Sequence, residues 1–373
     1  MLKGGLPRFY VPLLEKSQPR DLQSTPLSCR SITSRALSAT LLLALGVILG
    51  STFSVFSSYQ PPPLAVALPP IPTNTDLPVP SLPLPREPIP NIVHYVYGLD
   101  PDSTREDFPY YAYLAMRSAL VTLKPEKVLF HCLYEPRGYW WSRVVNWEGW
   151  VDDEGQRKGL VEIHRARDVT TIGSHKNPVT KFAHKADIIR LEVLLQHGGI
   201  YLDIDTFILR SFSKHSLLAY DTVMAMEAAQ WDLGDSMDPK GLCNGIIVAR
   251  KGATFLERWL ETYETFNGHK WADHSVHMPW VLAKLYPETI TVLSNRAFFW
   301  PLWISSHISL VYKSTDYDFE ASGQLAYHAW ESKAKSHLRA LNPSTIQSIT
   351  TSFTIMARKY REHNEERNWK AQL

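Results

Sequence analysis

The longest unbroken apolar run lies near the start of the chain, where Ala36 to Phe56 (ALSATLLLALGVILGSTFSVF) holds no charge in 21 positions. At about 1.5 Å of rise per residue this is about 30 Å of helix, the thickness of a hydrocarbon core. It predicts a transmembrane helix over 36–57. Twelve prolines crowd residues 61–90. Such a stretch fills neither helix nor sheet ladder, so 58–88 is expected to be a stiff, polyproline-like stalk. Beyond it the pattern becomes that of a globular unit, over 89–373. Ile92 to Tyr97 is a short run of β-branched and aromatic residues closed by Gly98, a strand. Asp107 to Thr122 carries Tyr110, Leu114, Arg117 and Val121 at helical spacing, and Val128–Tyr134 is a second strand. Strand, helix, strand opens an α/β fold with parallel strands. From Ala183 to Gln196 the apolar positions Ile188, Leu191, Leu194 and Leu195 predict another helix. Gly198 is expected to end it in the left-handed conformation. Ser344–Trp369 reads as an amphipathic helix running out into solvated charge.

Charge orients the apolar run. Residues 1–35 carry six Lys/Arg against Glu15 and Asp21, and after Arg35 no basic residue follows until Arg86. By the positive-inside rule 1–35 is a cytosolic tail and everything after the helix lies across the membrane. A cleaved signal peptide competes, because Ala65-Val66-Ala67 has A-x-A form. The long basic region before the run, and the distance of that site beyond it, favour an uncleaved signal anchor. The expected layout is a single-pass type II protein of the Golgi membrane with a lumenal globular unit. The net charge of +2 resides in the tail, so the rest is near neutral and lacks the electrostatic footprint of a nucleic-acid binder. A composition 45% hydrophobic and 20% charged rules out a mainly disordered chain. Of the three cysteines, only Cys132 and Cys243 are placed to bridge, and no CxxC pair suggests a zinc site. No Asn-x-Ser/Thr acceptor with x other than Pro is present.

The chemistry concentrates in Thr180 to Phe212 (TKFAHKADIIRLEVLLQHGGIYLDIDTFILRSF). Ile200-Tyr201-Leu202 is a strand aimed into Asp203-Ile204-Asp205, and on a regular strand both carboxylates would share a face. Two carboxylates where an apolar strand gives out are costly unless something positive binds there, and a hard divalent cation is the obvious candidate. Asp187 and Arg190, three apart on the preceding helix, share a face. Alone they read as an intrahelical ion pair; beside the two aspartates they read as a pair of hydrogen-bonding groups for a polar ligand.

These segments resemble glycosyltransferase family 32, the glycosyltransferases with a DXD-containing sugar-binding region. The matching pieces are Ile89-Pro90-Asn91-Ile92-Val93-His94, Lys185-Ala186-Asp187-Ile188-Ile189-Arg190 and Gly198-Gly199-Ile200-Tyr201-Leu202-Asp203-Ile204-Asp205, then Asn244-Gly245-Ile246-Ile247 and Tyr327-His328-Ala329-Trp330. They follow the family's order through nearly the whole globular unit. The resemblance implies a GT-A fold, a Rossmann-like αβα catalytic domain. It also implies a retaining enzyme that moves a hexose from a UDP- or GDP-sugar to a glycan or glycolipid acceptor, with Mn²⁺ (or Mg²⁺) on the diphosphate. Carried over by position, Asp187 and Arg190 would hold donor-sugar hydroxyls, Asp203 ribose or sugar, and Asp205 the metal. Tyr97 would stack on the nucleobase, His328 would reach the metal or diphosphate, and Asn244 with Gly245 would lie on the acceptor side.

Other residues carry less. Glu227, Asp232, Asp235 and Asp238 read as a solvated acidic loop or as acceptor contacts. Trp140, Trp141, Trp147, Trp150, Trp300 and Trp303 read as packing, or as sugar platforms. His94 reads as a satisfied buried histidine. A second metal site at His274-x-x-His277 lacks a third ligand. Two rival functions remain: an inactive sugar-binding or scaffolding relative of the same fold, and a haloacid-dehalogenase-like phosphatase. The phosphatase signature wants Thr or Val two residues past the second aspartate, where this chain has Phe207.

Overall fold

A central seven-stranded sheet organises the computed structural model, which describes residues 88–151, 157–227 and 241–372. The expected tail, membrane anchor and stalk lie outside these residues but for Pro88. Among the described residues no helix is long and apolar enough to cross a membrane. The first strand, β1 (Ile92–Val96), leads to helix α1 (Tyr110–Leu123) and to β2 (Lys127–Cys132). The helix begins three residues later than the periodicity suggests. Pro109 stands at its N-cap with extended backbone (ψ 147°), and a proline biases the residue before it away from helix. Strand β3 (Val161–Arg165) pairs with β2, and helix α2 (Phe182–His197) leads into β4 (Gly199–Leu202). Strands β5 (Thr206–Ile208), β6 (Thr222–Glu227), β7 (Gly241–Ala249), β8 (Thr291–Leu293) and β9 (Ala326–His328) follow.

The order across the sheet is β8-β6-β7-β4-β1-β2-β3. Strands β4, β1, β2 and β3 are parallel, as expected of an α/β unit, but the sheet is mixed because β7 runs antiparallel to both its neighbours. All nine residues of β7 are buried, which fits a central strand covered on both faces. One core packs α1 against the sheet around Val93, Phe130 and Leu202, and the other packs α2 against it around Tyr201, Leu191 and Ile247. The carboxyl ends of β1 and β4 are thus held between two apolar layers.

Gly198 ends α2 with φ 67° and ψ 179°, a conformation open to glycine but not the left-handed helical one expected. A Cβ there would stand 2.6 Å from the Lys251 nitrogen, so close backbone approach also requires glycine. The expected C-terminal helix is instead three short ones, Thr345–Ser348, Ser352–Arg358 and Glu365–Lys370. They are pinned by buried polar contacts such as Tyr110 to Glu365. Cys132 and Cys243 are both buried and free, so no bridge joins them.

Candidate functional site

The strand β4 gives out at Leu202, and the turn after it carries both aspartates. The Thr206 N–H donates to the Asp203 carbonyl (3.0 Å), and the Asp203 N–H to the Gly245 carbonyl on β7 (2.8 Å). Asp203 and Asp205 therefore project from a turn, not from a regular strand. The chain resumes as β5, which pairs antiparallel with β9 so that His328 lies opposite Thr206. That ribbon returns the imidazole across 125 positions, and its Nε2 stands 3.3 Å from both Asp203 Oδ2 and Asp205 Oδ1. One ligand atom each from Asp203, Asp205 and His328 lies within 4.8 Å of the others, the one such group among the described residues. Two carboxylate oxygens and an imidazole nitrogen are a fitting donor set for a divalent cation. The His328 Nδ1 is buried without a polar partner among the described residues.

Gly245 keeps this site clear. A Cβ on it would stand 3.0 Å from Asp203 Oδ2 and 3.1 Å from His328 Cδ2. Gly245→Ala is accordingly expected to weaken divalent-cation binding at this triad about tenfold while leaving the fold in place, since only the triad must shift. Calorimetric titration with Mn²⁺ checks this; an unchanged affinity would separate Gly245 from the cation.

Arg190 is the hub beneath the turn. Its Nη1 donates to the Asn244 carbonyl (2.7 Å) and lies 3.2 Å from Asp203 Oδ1, while Nη2 lies 3.3 Å from Asp187 Oδ1. The guanidinium stacks over Tyr201 at 4.4 Å, and the Tyr201 hydroxyl donates to Asp203 Oδ1 (2.7 Å). Asn244 Nδ2 donates to Asp187 Oδ1 (2.7 Å). The Asp187–Arg190 pair is an intrahelical ion pair, and a buried one, with side chains 11% and 6% exposed. A buried pair costs desolvation and needs further partners, which Asn244, Asp203 and Tyr201 supply. Burial pushes the Asp187 carboxyl above its ordinary range although Arg190 opposes it. Burial also works against ionising Asp203, yet Arg190 and His328 hold that carboxyl below its ordinary range. For His328 burial disfavours the charge, but Asp205 and Asp203 outweigh it and raise the imidazole. One oxygen of Asp203 is therefore neutralised by Arg190. Its other oxygen and Asp205 Oδ1 both face His328 Nε2.

A cleft of about 420 Å³ is lined by Tyr97, Gly98, Ala183, Ala186 and Arg339, among others; none of the cluster's own side chains lines it, and Ala186, next to Asp187 on α2, links the two. The cleft lies at the carboxyl end of β1, where open α/β sheets take ligands. Tyr97 is half-buried, edge-on to Phe108 at 5.5 Å, with burial raising its hydroxyl against the pull of Arg339. Arg339, in the last turn of helix α3 (Glu331–Arg339), pairs with Glu106 (2.8 Å) and approaches Glu331 (3.5 Å). The Glu331 N–H at the start of that helix donates to Asp205 Oδ2 (2.7 Å). A larger hollow of about 560 Å³, lined by residues such as Glu362 and Arg367, contains none of these groups and stands apart from the chemistry.

The structure brings Asp187, Arg190, Asp203, Asp205, Asn244, Gly245 and His328 into one cluster, with Tyr97 in the adjoining cleft. Asn244 and Gly245, expected on the acceptor side, are built into the acidic cluster itself. His94 is a satisfied buried histidine, contacting the Gly198 carbonyl (2.9 Å) and His131 (3.1 Å). His274 and His277 do not converge: the first packs on Tyr263, the second pairs with Asp273. Trp140, Trp141, Trp147 and Trp300 are core residues, and Trp303 is half-buried. Glu227 is half-buried at the end of β6, its carboxyl raised by burial, while Asp232, Asp235 and Asp238 lie outside the described residues. Tyr201 and Arg339 were not legible as site residues. Tyr201 stands inside the quoted GGIYLD run, but nothing in its spacing assigns its hydroxyl to Asp203.

Residues 142–224 match the family described as glycosyltransferase sugar-binding region containing DXD motif. The chain is 39% identical over 385 residues to glucan organizing enzyme 1 of Cryptococcus neoformans var. grubii, covering 99% of this chain and 97% of that one. This protein belongs to the glycosyltransferases with a DXD sugar-binding region. A shorter match joins it to the glycosyltransferase afumC of Aspergillus fumigatus, 31% identical over 83 residues, 22% of this chain and 21% of that one. Among solved structures, mouse xyloside xylosyltransferase 1 is 12% identical with a TM-score of 0.40, covering 66% of this chain and 99% of that one. The glycosyltransferase GlyE of Streptococcus pneumoniae is 12% identical with a TM-score of 0.37, covering 76% of this chain and 64% of that one. The matched region of this glycosyltransferase holds Asp187, Arg190, Asp203 and Asp205, whereas Tyr97, Asn244, Gly245 and His328 lie outside it.

Proposed function

We propose that this glycosyltransferase transfers a hexose from a UDP- or GDP-sugar to a glycan acceptor with retention of the α-linkage, using Mn²⁺ or Mg²⁺, on a GT-A catalytic domain. The observation that carries this reading is the convergence of Asp203, Asp205 and His328 within 4.8 Å of one another. That cluster adjoins a buried Asp187–Arg190 pair and the cleft that holds Tyr97. Asp205, Asp203 Oδ2 and His328 would hold the cation, whose chemistry is to stabilise the charge developing on a departing diphosphate. Tyr97 offers a ring face to a nucleobase. Arg190 and Asn244 fix Asp187 so that its carboxylate can hold a sugar hydroxyl, and orientation of this kind lowers the barrier only if the sugar is kept near attack geometry. The name of the relative that aligns along nearly the whole chain favours a glucan as the acceptor. The apolar run over 36–57 and the proline-rich stretch after it support a type II anchor that holds the enzyme in the Golgi lumen, where acceptors pass the membrane.

The test is a hydrolysis and transfer panel of UDP-glucose, UDP-galactose, UDP-N-acetylglucosamine and GDP-mannose, with and without Mn²⁺, on residues 89–373. Turnover of one donor that EDTA abolishes is the expected result. Sugar binding without turnover would favour the inactive relative. Asp187→Asn is expected to weaken binding of that nucleotide sugar about tenfold more than binding of the free nucleotide, because the amide keeps the Asn244 contact but loses the charge. Equal losses for both ligands would remove Asp187 from the sugar.

A further inference from the structure

Three residues before Asp187 on α2, and so on the same face of that helix, His184 joins His274 and Tyr263 around Phe266. His184 lies 5.3 Å from the Phe266 ring, His274 5.6 Å and Tyr263 5.7 Å, centroid to centroid, and Tyr263 and His274 lie 5.0 Å apart. His184 is 2% exposed and Tyr263 1%. Neither nitrogen of His184, nor the Tyr263 hydroxyl, nor His274 Nδ1 meets a polar partner among the described residues. His274 Nε2 contacts the Thr262 carbonyl (3.0 Å), which makes Nε2 the protonated nitrogen and leaves Nδ1 a bare acceptor. Buried polar groups are ordinarily paired, so four orphan atoms around one ring call for an explanation. The π-helical turn Asp273–His277, a form that recurs at functional sites, supplies one wall. His184 and Tyr263 both lie within electrostatic reach of Asp187. Asn244 and Arg190 both reach Oδ1 of that carboxylate, and so leave its other oxygen for a ligand.

We infer that Tyr263 and His184 form the inner wall of the donor-sugar site and select the transferred sugar by pairing with a hydroxyl that Asp187 does not hold. This rests on the proposed role of Asp187 toward the donor. Side chains kept polar in an apolar layer weaken the fold and are retained where a ligand needs them. Tyr263→Phe separates the two roles. A merely structural tyrosine whose hydroxyl has no partner loses nothing on becoming phenylalanine, and the melting temperature holds or rises. A hydroxyl that meets the sugar shows up in the ligand instead. Tyr263→Phe is expected to weaken the preferred nucleotide sugar about five- to tenfold while binding of free UDP or GDP with Mn²⁺ is unchanged, and to blunt discrimination among the four donors. His184→Phe, which keeps a planar ring, is expected to act in the same direction and is read alongside it. If wild type prefers a nucleotide sugar to its nucleotide and Tyr263→Phe keeps the same preference, the inner wall is overturned and the role of Asp187 stands. If wild type binds no nucleotide sugar more tightly than its nucleotide, both fall.

Discussion

Asp205→Asn is expected to lower Mn²⁺-dependent transfer by at least about 100-fold while the melting temperature stays within a few degrees of wild type. The activity loss follows from the task proposed for the cation. Stabilising charge on a leaving diphosphate is worth several kcal/mol, and each ~1.4 kcal/mol is a factor of ten in rate. The asparagine loses the charge that draws the cation, and only one of its terminal atoms remains an acceptor. The stability argument comes from the other oxygen. Asp205 Oδ2 accepts the Glu331 N–H at the start of α3 (2.7 Å), and the Asp205 carbonyl accepts the Ala329 N–H (3.0 Å). An asparagine oriented with its oxygen toward Glu331 keeps that cap. Asp205→Ala removes the cap as well, at a cost of about 1 kcal/mol, and should lower the melting temperature further by about 2–4 °C. Comparing the two variants by activity and calorimetry separates the cation's role from the cap's. Full activity in Asp205→Asn would leave the cluster without a metal function.

Most of this site was legible because it is local. Asp187, Arg190, Asp203 and Asp205 fall within nineteen positions, on one helix and the turn that follows the next strand, so periodicity and the glycine pair were enough to place them. The parallel part of the sheet was legible for the same reason, strand and helix alternating through β1, α1 and β2. The mixed topology was not, because β7 is a continuous apolar run whose direction depends on its neighbours rather than on its own residues. Long-range closure was likewise hidden. His328 reaches Asp203 through a ribbon between β5 and β9, each three residues long, too short to announce itself by pattern. The Tyr201 hydroxyl and Arg339 are invisible to spacing, since each acquires its role from a partner on another element. The breakdown of the expected C-terminal helix has a local cause that pattern underweighted: Thr351 and Thr354 cap one another and start a new helix inside the supposed one.

Acid should destabilise the fold as the pH falls below about 6.5. His94 Nε2 donates to the Gly198 carbonyl, which can only accept; in the neutral ring that burial favours, His94 Nδ1 then accepts from His131 Nε2 at 3.1 Å. His307 Nδ1 accepts the Leu302 N–H (3.0 Å) and is likewise held neutral on that nitrogen. Burial pushes His94 down to about 4, with His197 and His164 adding to the shift, and His131 down to about 3, with His94 adding to it. Burial and Arg296 push His307 down to about 4. In the unfolded chain each would titrate near 6.5. Between pH 6.5 and the lowered folded values the unfolded state therefore binds the protons and the folded state does not, so stability is intact above pH 6.5 and falls as the pH drops. From pH 7 to pH 5 each ring loses about 2 kcal/mol, and the three together about 6 kcal/mol, a large share of a typical domain's stability. His328 acts in the opposite sense: its raised value adds stability that is fully present below pH 6.5 and lost as the pH rises through the folded value, so it offsets part of the loss near pH 7 and none of it further down. Denaturant unfolding at pH 7 and pH 5 reads the difference. His131→Leu, which removes one titrating ring, should reduce the pH dependence by about a third even if it lowers the stability at pH 7. A stability unchanged between the two pH values would mean that these imidazoles are protonated inside the fold, and would overturn the burial argument.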